Sequence, residues 1–366
     1  MMNLRNVVKS IVLTCLTVLT FNSTFANKEE KKEKFNVGEM IMHHIGDAHE
    51  WQIMGGHENS VSIYLPVILM DGGLKIFNSK SLYHGKVMPA IDEAGKEIHY
   101  IADETNGYAM FHEKIYKLNA NGELDFHHGH PTNAKPLDLS ITKNTMSLLI
   151  GATLLILVML TVAKYYKKNG SVAPKGLAKF IEPLIVFVRD EVALANIGEH
   201  KYKRFTPFLL TIFFFILINN ILGLIPVFPG GANLTGNIAV TLVLAVASLF
   251  ATVFSGNKNY WKHIFATPGV PVPLLIIMIP IEIVGIFTKP FALMVRLFAN
   301  MTAGHIIILA LISIIFINEN WTWGFLSVPM ALFISVLEIL VAFLQAYLFA
   351  MLTSLFISAA VEEHHH

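Results

Sequence analysis

Arg296 sits in an apolar stretch long enough to cross a bilayer, Phe287-Thr-Lys-Pro-Phe-Ala-Leu-Met-Val-Arg-Leu-Phe-Ala-Asn-Met-Thr-Ala-Gly-His305. A charge at the centre of a membrane helix costs at least roughly 2.5–3.5 kcal/mol on insertion scales, so a sequence that keeps one there generally uses it on an ion or proton pathway. On a helix turning about 100° per residue, Asn300 lies about 40° from Arg296; Glu282 lies about 40° off as well, roughly 21 Å along the axis. These three residues form one polar stripe. His305 is about 180° round from Arg296 and must face a different neighbour. In a later apolar run Glu338 and Gln345 differ by about 20°, which makes a second polar seam.

A fixed positive charge between titratable groups suits a proton path past a moving carboxylate. Arginine keeps its proton, so it cannot relay one. It attracts an ionised carboxylate on a partner, lowers that group's proton affinity and forces release of its proton. Glu338, His305 and Glu282 are the groups whose protonation could change, while Asn300 and Gln345 can orient water or hold the guanidinium. Blander roles compete. Arg296 could be a structural ion-pair partner of Glu338 or Glu282, and His305 a packed, hydrogen-bonded histidine. Asn219 and Asn220 read as interhelical hydrogen-bonding groups, and Lys289 is assigned no role.

The elements that position these residues follow from composition. With 366 residues, mean hydropathy +0.56 and only 14% charged residues, the chain is too apolar for an ordinary soluble enzyme and fits a polytopic membrane protein. Seventeen of its twenty-six acidic residues fall between Glu29 and Asp138, ahead of the first long apolar run. Apolar runs then recur at spanning length: Met146 to Val162, Phe208 to Phe228, Ile238 to Phe254, Val272 to Ile315 and Trp323 to Ala359. The last two exceed one perpendicular crossing and must be tilted or bent, with Pro280 and Pro290 marking a bend in the fourth. The fold class expected is therefore an all-α polytopic membrane protein of about five transmembrane helices, the last two long and tilted, with a small β-rich N-terminal extramembrane domain.

Residues 1–26 have the form of a signal peptide: basic Arg5 and Lys9, an apolar centre from Ile11 to Leu19, and a small-residue cleavage site at Thr24-Phe25-Ala26. The only cysteine, Cys15, falls inside that centre, so no disulfide is expected in the mature chain. Lys and Arg crowd the connection after the first span and recur after the third, at Lys258 and Lys262, but are absent from Pro229 to Gly236 and Asn318 to Trp321. That alternation puts the N-terminal domain outside and the C-terminus in the cytoplasm. Gly176 to Val192 reads as an amphipathic interfacial helix, with Phe180, Leu184, Phe187 and Val188 on its apolar face.

The exported domain, residues 27–140, opens on a mixed-charge tether, Lys28 to Lys34. Val61 to Leu69, Asp71 to Phe77 and Lys114 to Leu118, the last followed by Asn119-Ala-Asn-Gly122, read as strands and hairpins. Its histidine clusters, His43-His44-Ile-Gly-Asp47-Ala-His49-Glu50 and Phe126-His127-His128-Gly-His130, match no closed zinc motif, so no metal site is assigned. No phosphate-binding GxxxxGK[ST] loop is present, and neither bound ATP nor a cofactor is expected. The terminal His364 to His366 is either native or an appended tag.

Arg296-Leu-Phe-Ala-Asn-Met-Thr-Ala-Gly304, with Leu344-Gln-Ala-Tyr-Leu-Phe-Ala-Met-Leu-Thr353 and the ending Ala360-Val-Glu-Glu-His, resembles subunit a of the F-type ATP synthase. The resemblance runs from about Met146 to the C-terminus, within a helical membrane domain taken as 141–366. It implies a non-catalytic stator protein of the cell inner membrane that conducts protons through two aqueous half-channels. Arg296 would face the carboxylate of rotor-ring c subunits, Asn300 and Gln345 would lie nearby, and Glu282 would serve the cytoplasmic path. Peripheral-stalk b subunits, other synthase subunits and membrane lipids are the implied partners; no nucleic acid is. Known members carry Glu after Ala-Gly and His seven residues before the Gln, whereas this chain has His305 and Glu338. The exchange suggests that the two side chains meet between helices. A self-contained ion or metal transporter and a purely structural scaffold are the competing readings.

Overall fold

The computed structural model describes residues 37–54, 61–91, 95, 97–170, 172–225, 228–265 and 271–362. The segment expected to be a signal peptide, the charged tether and the terminal histidines lie outside the described residues.

The N-terminal domain runs α1 (Val37–Ile45), β1 (Glu50–Met54), β2 (Val61–Tyr64), β3 (Pro66–Met70), β4 (Leu74–Asn78), α2 (Lys80–Tyr83), β5 (Lys86–Ile91), β6 (Glu97–Asp103), β7 (Tyr108–Phe111), β8 (Lys114–Lys117), β9 (Phe126–His127), β10 (His130–Pro131) and β11 (Leu137–Asp138). Strands β5 to β8 form an antiparallel meander, and β3 lies between β11 and β4 in a second sheet. Period-two alternation sets the core, because successive side chains on a strand point to opposite faces. Leu65, Val67 and Leu69 are buried, and they or their neighbours pack with Leu82, Tyr108, Met110 and Ile115. Gly72, at φ +64°, supplies the left-handed residue that lets β3 turn back into β4. The expected run from Val61 to Leu69 divides into β2 and β3 around Leu65. The other two expected strands form as β4 and β8, while α1 and the β5–β7 meander were not foreseen.

The helical unit consists of α3 (Lys143–Asn169), α4 (Leu177–Phe187), α5 (Tyr202–Leu224), α6 (Ile238–Ser255), α7 (Lys258–Phe265), α8 (Val272–Ile317) and α9 (Gly324–Val361). Five of these, α3, α5, α6, α8 and α9, are long and apolar enough to cross a membrane. Helix α5 stops at Leu224, earlier than expected, and Ile225 is extended. The residue before a proline is pushed out of the helical region, and Pro226 follows. Helix α8 continues through Pro280 and Pro290 for 46 residues. At 1.5 Å per residue that is about 69 Å, more than twice a hydrocarbon core, so it cannot cross upright.

Phe213, Phe214, Ile216, Leu293, Leu297, Ala346, Phe349 and Ala350 form the common core of α5, α8 and α9. The expected amphipathic segment forms as α4, followed by a π-helical stretch, Val188–Leu194. Its face is split. Phe180 is exposed, whereas Val188, Val192 and Ala193 are fully buried in the helical core and the Phe187 ring packs at a tilt against Phe343 and Tyr347. The far end of α9 is tied down by polar caps, since both Lys201 Nζ and Asn257 Nδ2 donate to the Val361 carbonyl at 2.8 Å. These groups satisfy a helix-terminal acceptor that has no partner within the helix.

The domain is bound to the helical unit through the first turn of α3. Asp47 accepts from the Asn144 backbone N–H and from the Thr142 hydroxyl, both at 3.0 Å, and Lys143 Nζ donates to the His44 carbonyl at 3.1 Å. Trp51 is 3% exposed; its indole N–H donates to the Gly230 carbonyl and its ring meets Phe228 edge-on. Helix α1 also packs on α8.

Candidate functional site

Helices α8 and α9 pack side by side, and their polar seams meet at one point. Asn300 Nδ2 donates to Gln345 Oε1 at 2.8 Å, with Gln345 buried. Arg296, one turn back on α8, is exposed, and among the described residues it takes part in no ion pair. It is paired with neither Glu338 nor Glu282, so the intramolecular ion-pair role weighed from the sequence has no contact to support it. The face around Arg296 is built of small residues: Ala292, Ala299 and Ala303 are all exposed. A Cβ added at Gly285, about 20° from Arg296 on the helix, would meet open space. Small residues on a membrane helix allow another helix to approach closely.

Glu338 lies against Gly304. A Cβ there would collide with the Glu338 carboxylate, so only glycine leaves room for this carboxyl group between the helices. His305 points elsewhere. Its Nε2 is buried without a hydrogen-bond partner among the described residues and lies toward α5, where a Cβ added at Gly223 would stand 3.9 Å from it. No hydrogen bond or ion pair joins His305 to Glu338 among the described residues. The two are adjacent through Gly304 but face different helices, so the meeting that the exchange suggested does not form as a direct contact. Glu282 is half-buried near the other end of α8; burial first and the Glu282 charge second push the Tyr260 phenol of α7 upward. Lys289 sits over the Phe356 ring at 5.7 Å.

The two asparagines read as interhelical hydrogen-bonding groups behave differently. Asn220 donates to the Ala342 carbonyl of α9 and accepts from Thr235 of the 228–237 connection, which fits the interhelical role. Among the described residues Asn219 bonds only its own helix, to Phe215 O, and its Oδ1 is buried, unpartnered and packed against Gly151 of α3. Within the sequence the only sign of this was the position of Asn219, inside an apolar run one turn from Gly223. Among the described residues no group of three or more His, Cys, Asp or Glu side chains could hold a metal ion.

Comparison with known proteins gives the same extent that the motifs do. The ATP synthase A chain family matches residues 145–358, and a Domain of unknown function (DUF8433) matches residues 40–139. The chain is 48% identical over 235 residues to an ATP synthase subunit a from Chloroherpeton thalassium, covering 63% of this chain and 69% of the relative. It is 46% identical over 284 residues to an ATP synthase subunit a 2 from Chlorobium luteolum, covering 75% and 81%. An ATP synthase subunit a 2 from Chlorobaculum tepidum is 46% identical over 270 residues, covering 71% and 74%. With more than half its length matched, and its polar seams meeting inside that matched region, the chain belongs to the ATP synthase A chain family.

Proposed function

We propose that this chain is the proton-conducting stator subunit of a rotary ATP synthase and that Arg296 is the charge its rotor must pass. The observation that carries the reading is the exposed guanidinium of Arg296, without an ion pair among the described residues and set in a face of small residues on a spanning helix. An intramembrane charge left in this way calls for a partner carboxylate from another subunit, and the c subunits of the rotor ring are the fit. Arg296 stays charged throughout. When a rotor carboxylate comes alongside, the guanidinium favours its ionised form, so the proton leaves toward one side before the next arrives from the other.

In this reading the Asn300–Gln345 hydrogen bond fixes the amides beside the guanidinium. His305 and Glu338 serve one half-channel and Glu282 the other. Residues 1–26 are a signal peptide, 27–140 lie on the periplasmic side of the inner membrane, and the C-terminus is cytoplasmic. The b subunits and lipids complete the surroundings. The chain itself makes and breaks no covalent bond. Crosslinking tests the partner: Ala299→Cys should form a disulfide with a cysteine placed beside the rotor carboxylate. Reaction only with cysteines in other subunits would sink the assignment of this face.

A further inference from the structure

Where the domain of residues 37–139 meets the helical unit, two buried polar atoms have no hydrogen-bond partner among the described residues. His49 is 2% exposed; its Nε2 pairs with Asp138 at 3.2 Å, while its Nδ1 is buried and unpartnered. The Ala48 carbonyl next to it accepts from the Lys143 backbone N–H at 2.9 Å, and Asn144 follows, its Oδ1 buried and unpartnered. Asn144, Ser147 and Gly151 share one face of α3, within about 60° of one another, and all three are buried. Gly151 touches the orphan Oδ1 of Asn219, and one turn along α5 from Asn219, Gly223 stands beside the orphan Nε2 of His305.

Polar atoms buried in folded proteins are nearly always hydrogen-bonded to protein or to water. These orphan atoms follow one another along α3 and α5 toward His305, with Ser147 beside them on α3, and they are groups that water can satisfy, since a buried water bonds two to four polar partners. Charge gathers at the domain end of this series. Lys143 is buried, and Asp47, Glu50 and Glu113 all act on its charge. Asp47 is committed to capping α3, and Tyr83 donates to Glu113 at 2.5 Å.

We propose that this domain forms the aqueous mouth of the half-channel that leads to His305, with the 44–51 segment and the first turn of α3 as its rim. The inference rests on the proton-conducting reading above and adds to it a role for the N-terminal domain. Protons or hydronium from the domain side would pass between the carboxylates around Lys143 and along the Asn144 face of α3 before they reach His305. The alternative is a lid that merely rests on a closed helix bundle.

The test uses the complete synthase in liposomes, with Asn144→Cys labelled after assembly by a small charged methanethiosulfonate added on the domain side. Backbone N–H capping by Asp47 survives this substitution. The parent complex and Lys86→Cys, exposed on the outer surface of the domain, serve as labelled controls. The expected result is reaction at Asn144→Cys with loss of most ATP-driven pumping and passive proton flux, and no loss in either control. Labelling with unchanged flux, or no reaction in the assembled complex, would overturn the mouth. Should Asn144→Cys fail to assemble, Ser147→Cys on the same face takes its place with the same two outcomes. Arg296→Ala in the same preparation separates the two readings. If it abolishes coupling while labelling at position 144 has no effect, the mouth alone fails; if it leaves coupling intact, the proton-conducting reading fails.

Discussion

In the N-terminal domain, charged and polar side chains close on one another: Lys117 pairs with Asp71 at 2.8 Å, Tyr108 donates to the same carboxylate, and His49 meets Asp138. In the helical unit several polar groups stay open among the described residues, with Arg296 exposed and His305 Nε2 and Asn219 Oδ1 buried without partners. The contrast runs against cost. A loose ion in a water-facing domain loses little, since exposed salt bridges are worth about 0–1 kcal/mol, whereas one in a bilayer costs several. Among the described residues the domain closes most of its polar contacts within itself, with His49 Nδ1 an exception, whereas the helical unit leaves the groups of its polar seams open, as the proposed contact with another subunit requires.

The largest effect short of the guanidinium itself is expected where the two regions join. Trp51→Ala removes a buried ring and the hydrogen bond to Gly230, and should cost about 3–5 kcal/mol. Hydrogen exchange in the assembled complex should show early opening of the 228–237 connection; unchanged protection there would mean that the domain is not held by this contact. Gly304→Ala should displace the Glu338 carboxylate while leaving the helices assembled, and slow coupled pumping by about tenfold, equivalent to about 1.4 kcal/mol at the barrier. A normal rate would remove Glu338 from the path.

Asn300→Ala and Gln345→Ala should each slow pumping, and the double variant should be less than additive by about 1 kcal/mol, the usual worth of one hydrogen bond. Additive losses would show that the 2.8 Å contact does not couple them. The smallest effect lies in the domain. Burial alone would raise the Asp138 carboxyl, but hydrogen bonds from His49 and Ser140 outweigh it and hold the group at about 2. With the folded value below the unfolded one of about 3.9, the stabilisation is fully present above about pH 5 and is lost as pH falls through about 2. Asp138→Asn should therefore cost about 1 kcal/mol near neutrality, after allowance for screening at a partly exposed group, and almost nothing at the acid limit. A cost independent of pH would point to packing instead of charge.

Legibility followed the same division. Spans were readable because about twenty apolar residues are needed to cross the bilayer; three of the five expected runs lie wholly within helices, and a fourth begins one residue ahead of α9. The miss at the end of α5 came from reading hydropathy past Pro226, where backbone sterics decide. Helical angles correctly separated His305 from the Arg296 stripe, because 100° per residue holds in any packing. They could not say which neighbour His305 would meet, and the exchange with Glu338 suggested a contact that the structure replaces by adjacency across Gly304. The domain was legible only as β-rich. Its β5–β8 order and the docking of residues 44–51 on α3 depend on contacts distant in sequence, which no local pattern specifies.

One measurement addresses the proposed role of Arg296 directly: ATP-driven acidification and passive proton leak in inverted membrane vesicles carrying the assembled complex, parent against Arg296→Ala. Loss of coupled pumping with normal assembly is the expected result and would place Arg296 at the ion-transfer step. Pumping at the parental rate would contradict it and leave the exposed guanidinium without a role in coupling.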